Sequence, residues 1–251
     1  MISPKSVKFA VCASALAAAA LLHSAAHADV VLLGSDYFQT IQPTFFTPLG
    51  GLNPLTGLRI GPGTTDTIVQ RQADCSLSLS TLGSNCTIPI EMVALSLIST
   101  VNPLVRVRES PTLASTGGMT ITSDGFGMGG TFASFFDVFF EITFDDGGTW
   151  MPQVGKRFTS NAFWTTIESG LLVDGLMGDQ AANRHTNKGS CNPLLDPLLP
   201  RCVDFYLAGS AVHDAGDGRH TVRAAVPEPT SLGLVGLALA ALGWGRRRSR
   251  R

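Results

Sequence analysis

Apolar and polar side chains alternate along several short stretches of this chain, most clearly in FFDVFFEITF at residues 135–144. Phe136, Val138, Phe140, Ile142 and Phe144 fall on one side and Asp137, Glu141 and Thr143 on the other, with Phe139 the one large apolar exception. A repeat of two belongs to a strand with one buried face, not to a helix of period 3.6. The chain then meets DDGG at residues 145–148 and continues as TWMPQV, which predicts a hairpin because glycine adopts positive φ without a Cβ clash. PLVRVRES at residues 103–110 sets Val105 and Val107 against Arg106 and Arg108, the pattern of a sheet edge facing water, and TDTIVQRQ and IPIEMVALSLIST predict two more strands. Further on, Val203, Phe205 and Leu207 alternate with Asp204 and Tyr206, HDAGDGRH supplies turn chemistry, and HTVRAAV is the expected antiparallel partner. Only residues 171–185 offer a short helix, weakened by Gly175 and Gly178, and the Pro-, Asn- and Gly-rich residues 185–202 read as a loop. Many short alternating runs with 27 glycines and 14 prolines predict an all-β, antiparallel β-sandwich-like body.

The ends of the chain follow a different pattern. Lys5 and Lys8 precede an uncharged run at residues 9–22, and Ala26-His27-Ala28 follows. This is the layout of a secretory signal peptide cleaved after Ala28; the apolar run is short for a membrane span, and Cys12 lies inside it with no lipidation site before it. The expected organisation is a signal peptide at 1–28, an exported β-rich domain at 29–225 and a C-terminal segment at 226–251. Of the 18 basic residues, five lie in the last six positions and two in the signal peptide, leaving eleven against eighteen acidic ones in residues 29–226, a net charge of −7. An acidic surface without a basic stripe disfavours nucleic-acid binding.

Export also places the cysteines in an oxidising compartment. Cys75 and Cys86 enclose ten residues, as do Cys191 and Cys202, so two local disulfides are the economical pairing of the three possible. A four-thiolate zinc site lacks its usual C-x-x-C spacing.

Candidate chemistry in the body is sparse. HDAGDGRH brings His213, Asp214, Asp217 and His220 within eight residues, which is metal-ligand or acid–base material; a hairpin there sets the two histidines on facing strands, while Asp and Gly are ordinary turn residues. DGFGMGG at residues 124–130 lacks the lysine and following helix of a phosphate loop, and Asp145 with Asp146 offers too few oxygens for calcium. Trp150, Trp164 and the aromatic-rich FFTP and FASFF stretches suggest either core or a carbohydrate-stacking face, with core the expectation on alternating strands. No G-x-S-x-G elbow or H-E-x-x-H helix occurs, and no cofactor is implied.

The last 26 residues carry the most specific signal. Pro227-Glu228-Pro229 precedes a charge-free run at residues 229–245, about 25 Å long as a helix, and then five arginines. Arginines resist translocation, so they predict a transmembrane helix with its C-terminus in the cytoplasm and the body outside. This segment resembles the PEP-CTERM protein-sorting signal of Gram-negative envelopes. The resemblance implies an exosortase-type membrane protease that recognises Pro227, Glu228 and Pro229, anchoring in the inner membrane before processing, and a final place in the cell envelope or outside the cell. It also implies a link to extracellular polysaccharide in a biofilm matrix. The body is then expected to be a non-enzymatic structural or binding domain; the alternative is an exported enzyme acting on polysaccharide.

Overall fold

The computed structural model describes residues 28–61, 63–167 and 201–225. The predicted signal peptide, the short helix at 171–185, Cys191 and the C-terminal helix lie outside the described residues. The described residues form β1 (Asp29–Val31), β2 (Gly34–Thr40), β3 (Phe45–Phe46), β4 (Leu55–Gly57), β5 (Thr67–Arg71) and β6 (Cys75–Leu77). There follow β7 (Asn85–Ser99), β8 (Arg106–Glu109), β9 (Ser115–Ser123), β10 (Gly129–Val138), β11 (Phe140–Thr143) and β12 (Met151–Pro152). The last five are β13 (Lys156–Thr165), β14 (Arg201–Val203), β15 (Tyr206–Ala208), β16 (Ser210–Asp214) and β17 (Gly218–Ala224).

The body is all-β, but it is a closed barrel and not a sandwich. Eight antiparallel strands run β7-β5-β2-β17-β16-β13-β10-β9, and β9 returns to pair with β7 from Asn85↔Thr122 to Met92↔Ser115. A sandwich leaves two sheets with free edges, whereas here the β7–β9 ladder joins the first strand to the last. The 15-residue β7 makes closure possible. Its first half pairs with β9, its middle with β5, and its end leaves the ring to pair with β8 and β4.

Strand β8 is therefore not a sheet edge. It lies between β7 and β11, with Val107 buried beneath it, and its arginines are ion-paired: Arg106 with Asp146, and Arg108 with Glu141 at 2.7 Å. FFDVFFEITF is two strands, not one. The chain departs from β10 at Phe139 and enters β11, whose hairpin with β12 turns through Asp146 at φ 63°. Phe144 is exposed, and the expected alternation holds only through β10, from Phe136 to Val138: in β11 Glu141 and Thr143 are buried along with Phe140 and Ile142. The final hairpin also forms, but the partner of β17 is β16, whereas Tyr206–Ala208 pairs with β13.

Inward-facing residues fill the barrel, as an eight-stranded ring is just wide enough for side chains. Phe46, Phe140 and Phe158 cluster at one end of β13, with Phe46 stacked on Phe140 at 5.1 Å. Trp164 stacks on Phe205 at 5.6 Å at the other end, and its indole N–H donates to the Thr122 carbonyl. Beside the ring, β1 pairs with β6 and β14, and the Cys75–Cys86 disulfide ties β6 to β7. Cys202, in β14, is also disulfide-bonded.

Candidate functional site

The β16–β17 register sets His213 directly opposite His220, with ring centroids 6.3 Å apart inside the barrel. The turn acids do not join them. Asp214 caps its own turn by accepting the Gly216 N–H, and Asp217 is ion-paired with Lys156 at the barrel mouth. Among the described residues no group of three or more His, Cys, Asp or Glu is placed to hold a metal.

A 2.7 Å hydrogen bond joins the Thr44 hydroxyl to His220 Nδ1. His220 Nε2, His213 Nδ1 and the Ser134 and Ser160 hydroxyls are buried without a partner in the structure. Burial holds the imidazoles neutral: His213 is pushed down to about 4 and His220 to about 3, the latter helped by repulsion from His213. Two internal cavities of about 20 and 30 Å³ lie along this cluster; the first is bordered by both histidines, the second by His213, Ser134 and Asp36. Such volumes hold a water or two and no organic ligand.

The other buried ionisable groups are engaged. Asp36 meets Arg71 at 3.2 Å, and burial raises its carboxyl above the usual range against the pull of that guanidinium. Arg71 in turn lies 5.1 Å from the centre of the Phe205 ring. Asp66 accepts the Thr40 N–H and the Thr40 and Thr67 hydroxyls, all within 2.9 Å.

The aromatic candidates divide. Trp164 is core, and Trp150 lies under the Arg108 guanidinium at 4.0 Å. Asp145 accepts the Thr143 hydroxyl and the Thr149 N–H, so it shapes its own turn. Residues 124–128 are the β9–β10 turn, in which Asp124 accepts the Phe126 N–H at 2.9 Å.

Phe163 was not singled out by the sequence. It precedes the buried Trp164 on β13, so strand alternation turns it outward, where it is 64% exposed. It borders two surface concavities of about 550 and 380 Å³, which share Thr122, Thr131 and Phe163. Counting inward from Trp164 in the KRFTSNAFWT segment is the sequence signal that identifies this face.

Residues 225–251 match the family model of the PEP-CTERM protein-sorting motif. No curated protein and no solved structure matches the chain. The motif marks an exported protein sorted through an exosortase, and it contains Pro227, Glu228 and Pro229.

Proposed function

We propose that this chain is an exported cell-envelope or matrix protein whose barrel has a non-enzymatic structural or binding role, delivered through its C-terminal signal. The observation that carries the reading is the sorting motif, whose match begins one residue after β17 ends at Ala224. An exosortase-type membrane protease recognises Pro227-Glu228-Pro229, the tripeptide that gives the motif its character. The apolar run holds the precursor in the inner membrane until processing, after which the body resides in the envelope or outside the cell, with extracellular polysaccharide as its partner.

The barrel's polarity supports a body in water. Its interior is mostly apolar, the histidines, Ser134, Ser160 and the Asp36–Arg71 pair apart, while Arg157, Thr159 and Asn161 face outward from β13, the reverse of a lipid-facing barrel. The alternative, an enzyme acting on polysaccharide, has less support. Asp36, Asp66 and Glu141 are each bound to a named partner, and the histidines border cavities too small for a sugar.

Intact-mass analysis of the protein from its native envelope, beside a variant with Pro227, Glu228 and Pro229 all changed to Ala, tests the proposal. Wild type should lose residues 1–28 and its C-terminal segment, while the variant should keep the latter and remain in the membrane fraction. Identical masses and fractionation for the two would overturn it.

A further inference from the structure

We infer that the outer face of the barrel across β7, β9, β10 and β13 binds a neutral polysaccharide chain, with Phe163 stacking on a sugar ring and Thr122, Thr131 and Asn161 hydrogen-bonding its hydroxyls. The inference rests on reading the body as a binding module presented outside the cell.

The register builds the face. Asn85, Thr122, Thr131 and Phe163 stand opposite one another in one row across four strands, and Thr87, Thr120, Ala133 and Asn161 form the next. Rows of this kind place a side chain every ~4.8 Å, about the span of one hexose unit. Thr87 and Thr120 hydrogen-bond each other at 2.8 Å, whereas the Thr122 and Thr131 hydroxyls and the Asn161 amide make no hydrogen bond to described residues. Asn85 donates to the Gly83 carbonyl at 3.0 Å, so the unengaged donors and acceptors of the trough are those of Thr122, Thr131 and Asn161.

The ring is also free. Phe163 faces Thr131 on one flank and Ala208 on the other, neither large enough to cover it. Phe135, the other outward phenylalanine of this face, differs: its ring lies against Gly118, where an added Cβ would meet Cε1 at 2.9 Å, and beneath the Arg157 guanidinium at 4.6 Å. Phe135 is packed for stability, and Phe163 is left unpacked. Leu82 and Met128, 80% and 52% exposed, border the same 550 Å³ concavity and extend its apolar side.

Charge and topology narrow the occupant. None of the eight residues in the two rows is charged, on a body of net charge −7; a polyanion is repelled, and a polycation finds no carboxylate within the rows. The strands are paired on both sides around the closed ring, so no free edge is offered to a peptide main chain and recognition must come from side chains. A pyranose presents an apolar face of C–H groups and a rim of hydroxyls. An exposed ring beside unengaged hydroxyl and amide groups matches both.

Affinity electrophoresis of the full chain in mild detergent, through gels carrying neutral glucans, mannans or galactans and through a polyuronate gel, tests the inference. At least one neutral polymer should retard wild type while the polyuronate does not; Phe163→Ala should raise the dissociation constant at least tenfold, Asn161→Ala severalfold, and Val154→Ala, at a separate exposed site, should leave it unchanged. Equal melting curves establish that the variants are folded. Failure of every neutral polymer, undiminished binding by Phe163→Ala, or a concentration-dependent dimer that Phe163→Ala abolishes would each overturn it, the last by assigning the face to a second copy. Processing is read from the masses of protein from its native envelope: a processed protein that ignores all glycans sinks this inference alone, and an unprocessed one that binds sinks the sorting reading alone.

Discussion

Lowering the pH should weaken the barrel through its two interior histidines, and His220→Asn isolates the effect. The asparagine keeps a polar group near Thr44, whose hydroxyl meets His220 Nδ1, but it cannot take up a proton. In the folded protein His220 is pushed down from 6.5 to about 3 by burial and by His213. The folded value lies below the unfolded one, so the stability gained by keeping the ring neutral is present in full above about 6.5 and declines as the pH falls toward the folded value. Between pH 7 and pH 5 the unfolded imidazole becomes almost fully protonated and the folded one does not, which costs about 2 kcal/mol at 1.36 kcal/mol per pH unit.

Other groups act in the opposite direction. Burial raises Asp36 and pushes Glu109 up to about 7, so these carboxyls take up protons in the folded state first and add stability over the same interval. Both are retained in the variant and drop out of the comparison. Urea unfolding at pH 7 and pH 5 should therefore show the stability of His220→Asn changing by about 2 kcal/mol more favourably than that of wild type on acidification. Whatever packing the substitution loses is present at both pH values and cancels. Parallel changes in the two proteins would refute the reasoning, since the imidazole would then titrate alike folded and unfolded.

Three further outcomes follow from packing and covalent structure. Cys75→Ser with Cys86→Ser should lower stability by about 2–3 kcal/mol in urea titrations, the expected effect of opening so short a loop. Arg71→Met should cost about 3–5 kcal/mol by removing the guanidinium that faces the buried Asp36 carboxyl, and the double variant Asp36→Leu/Arg71→Met should recover most of that loss. Trp164→Ala should cost about 3–5 kcal/mol through the emptied space against Phe205, while Trp164→Phe should cost less, losing chiefly the bond to the Thr122 carbonyl; thermal melts rank the pair.

The strands were legible because alternation is a local property, but closure was not. Inward and outward residues alternate in a sandwich and in a barrel alike, so Phe136 and Val138 look the same in either. What separates the two architectures is whether β7 finds β9, a pairing made across the β8 excursion that no local alternation records. The neighbouring β9–β10 ladder depends on GG at residues 117–118: a Cβ at Gly117 would stand 1.9 Å from the Phe135 carbonyl oxygen, so β10 approaches β9 there only because no side chain intervenes. The facing of His213 and His220 was readable from the turn between them. Their separation from Asp217 was not, because Asp217 is drawn away by Lys156, a residue on another strand.

The aromatic residues show the same limit more sharply. Trp164 attracted notice by its size, yet size is what fits it to the barrel end against Phe205; its neighbour Phe163 is one residue out of phase and so faces solvent. On a strand, the residue most conspicuous in composition and the residue available to a ligand are commonly adjacent, because burial and exposure differ by a single step. Identifying Phe163 therefore requires knowing first that Trp164 is inside. That follows from the β10–β13 register, in which Phe136↔Phe158 and Ser134↔Ser160 share the phase of Trp164 while Thr131↔Phe163 and Ala133↔Asn161 share the opposite one. Candidate core and candidate binding face are thus two readings of one ladder.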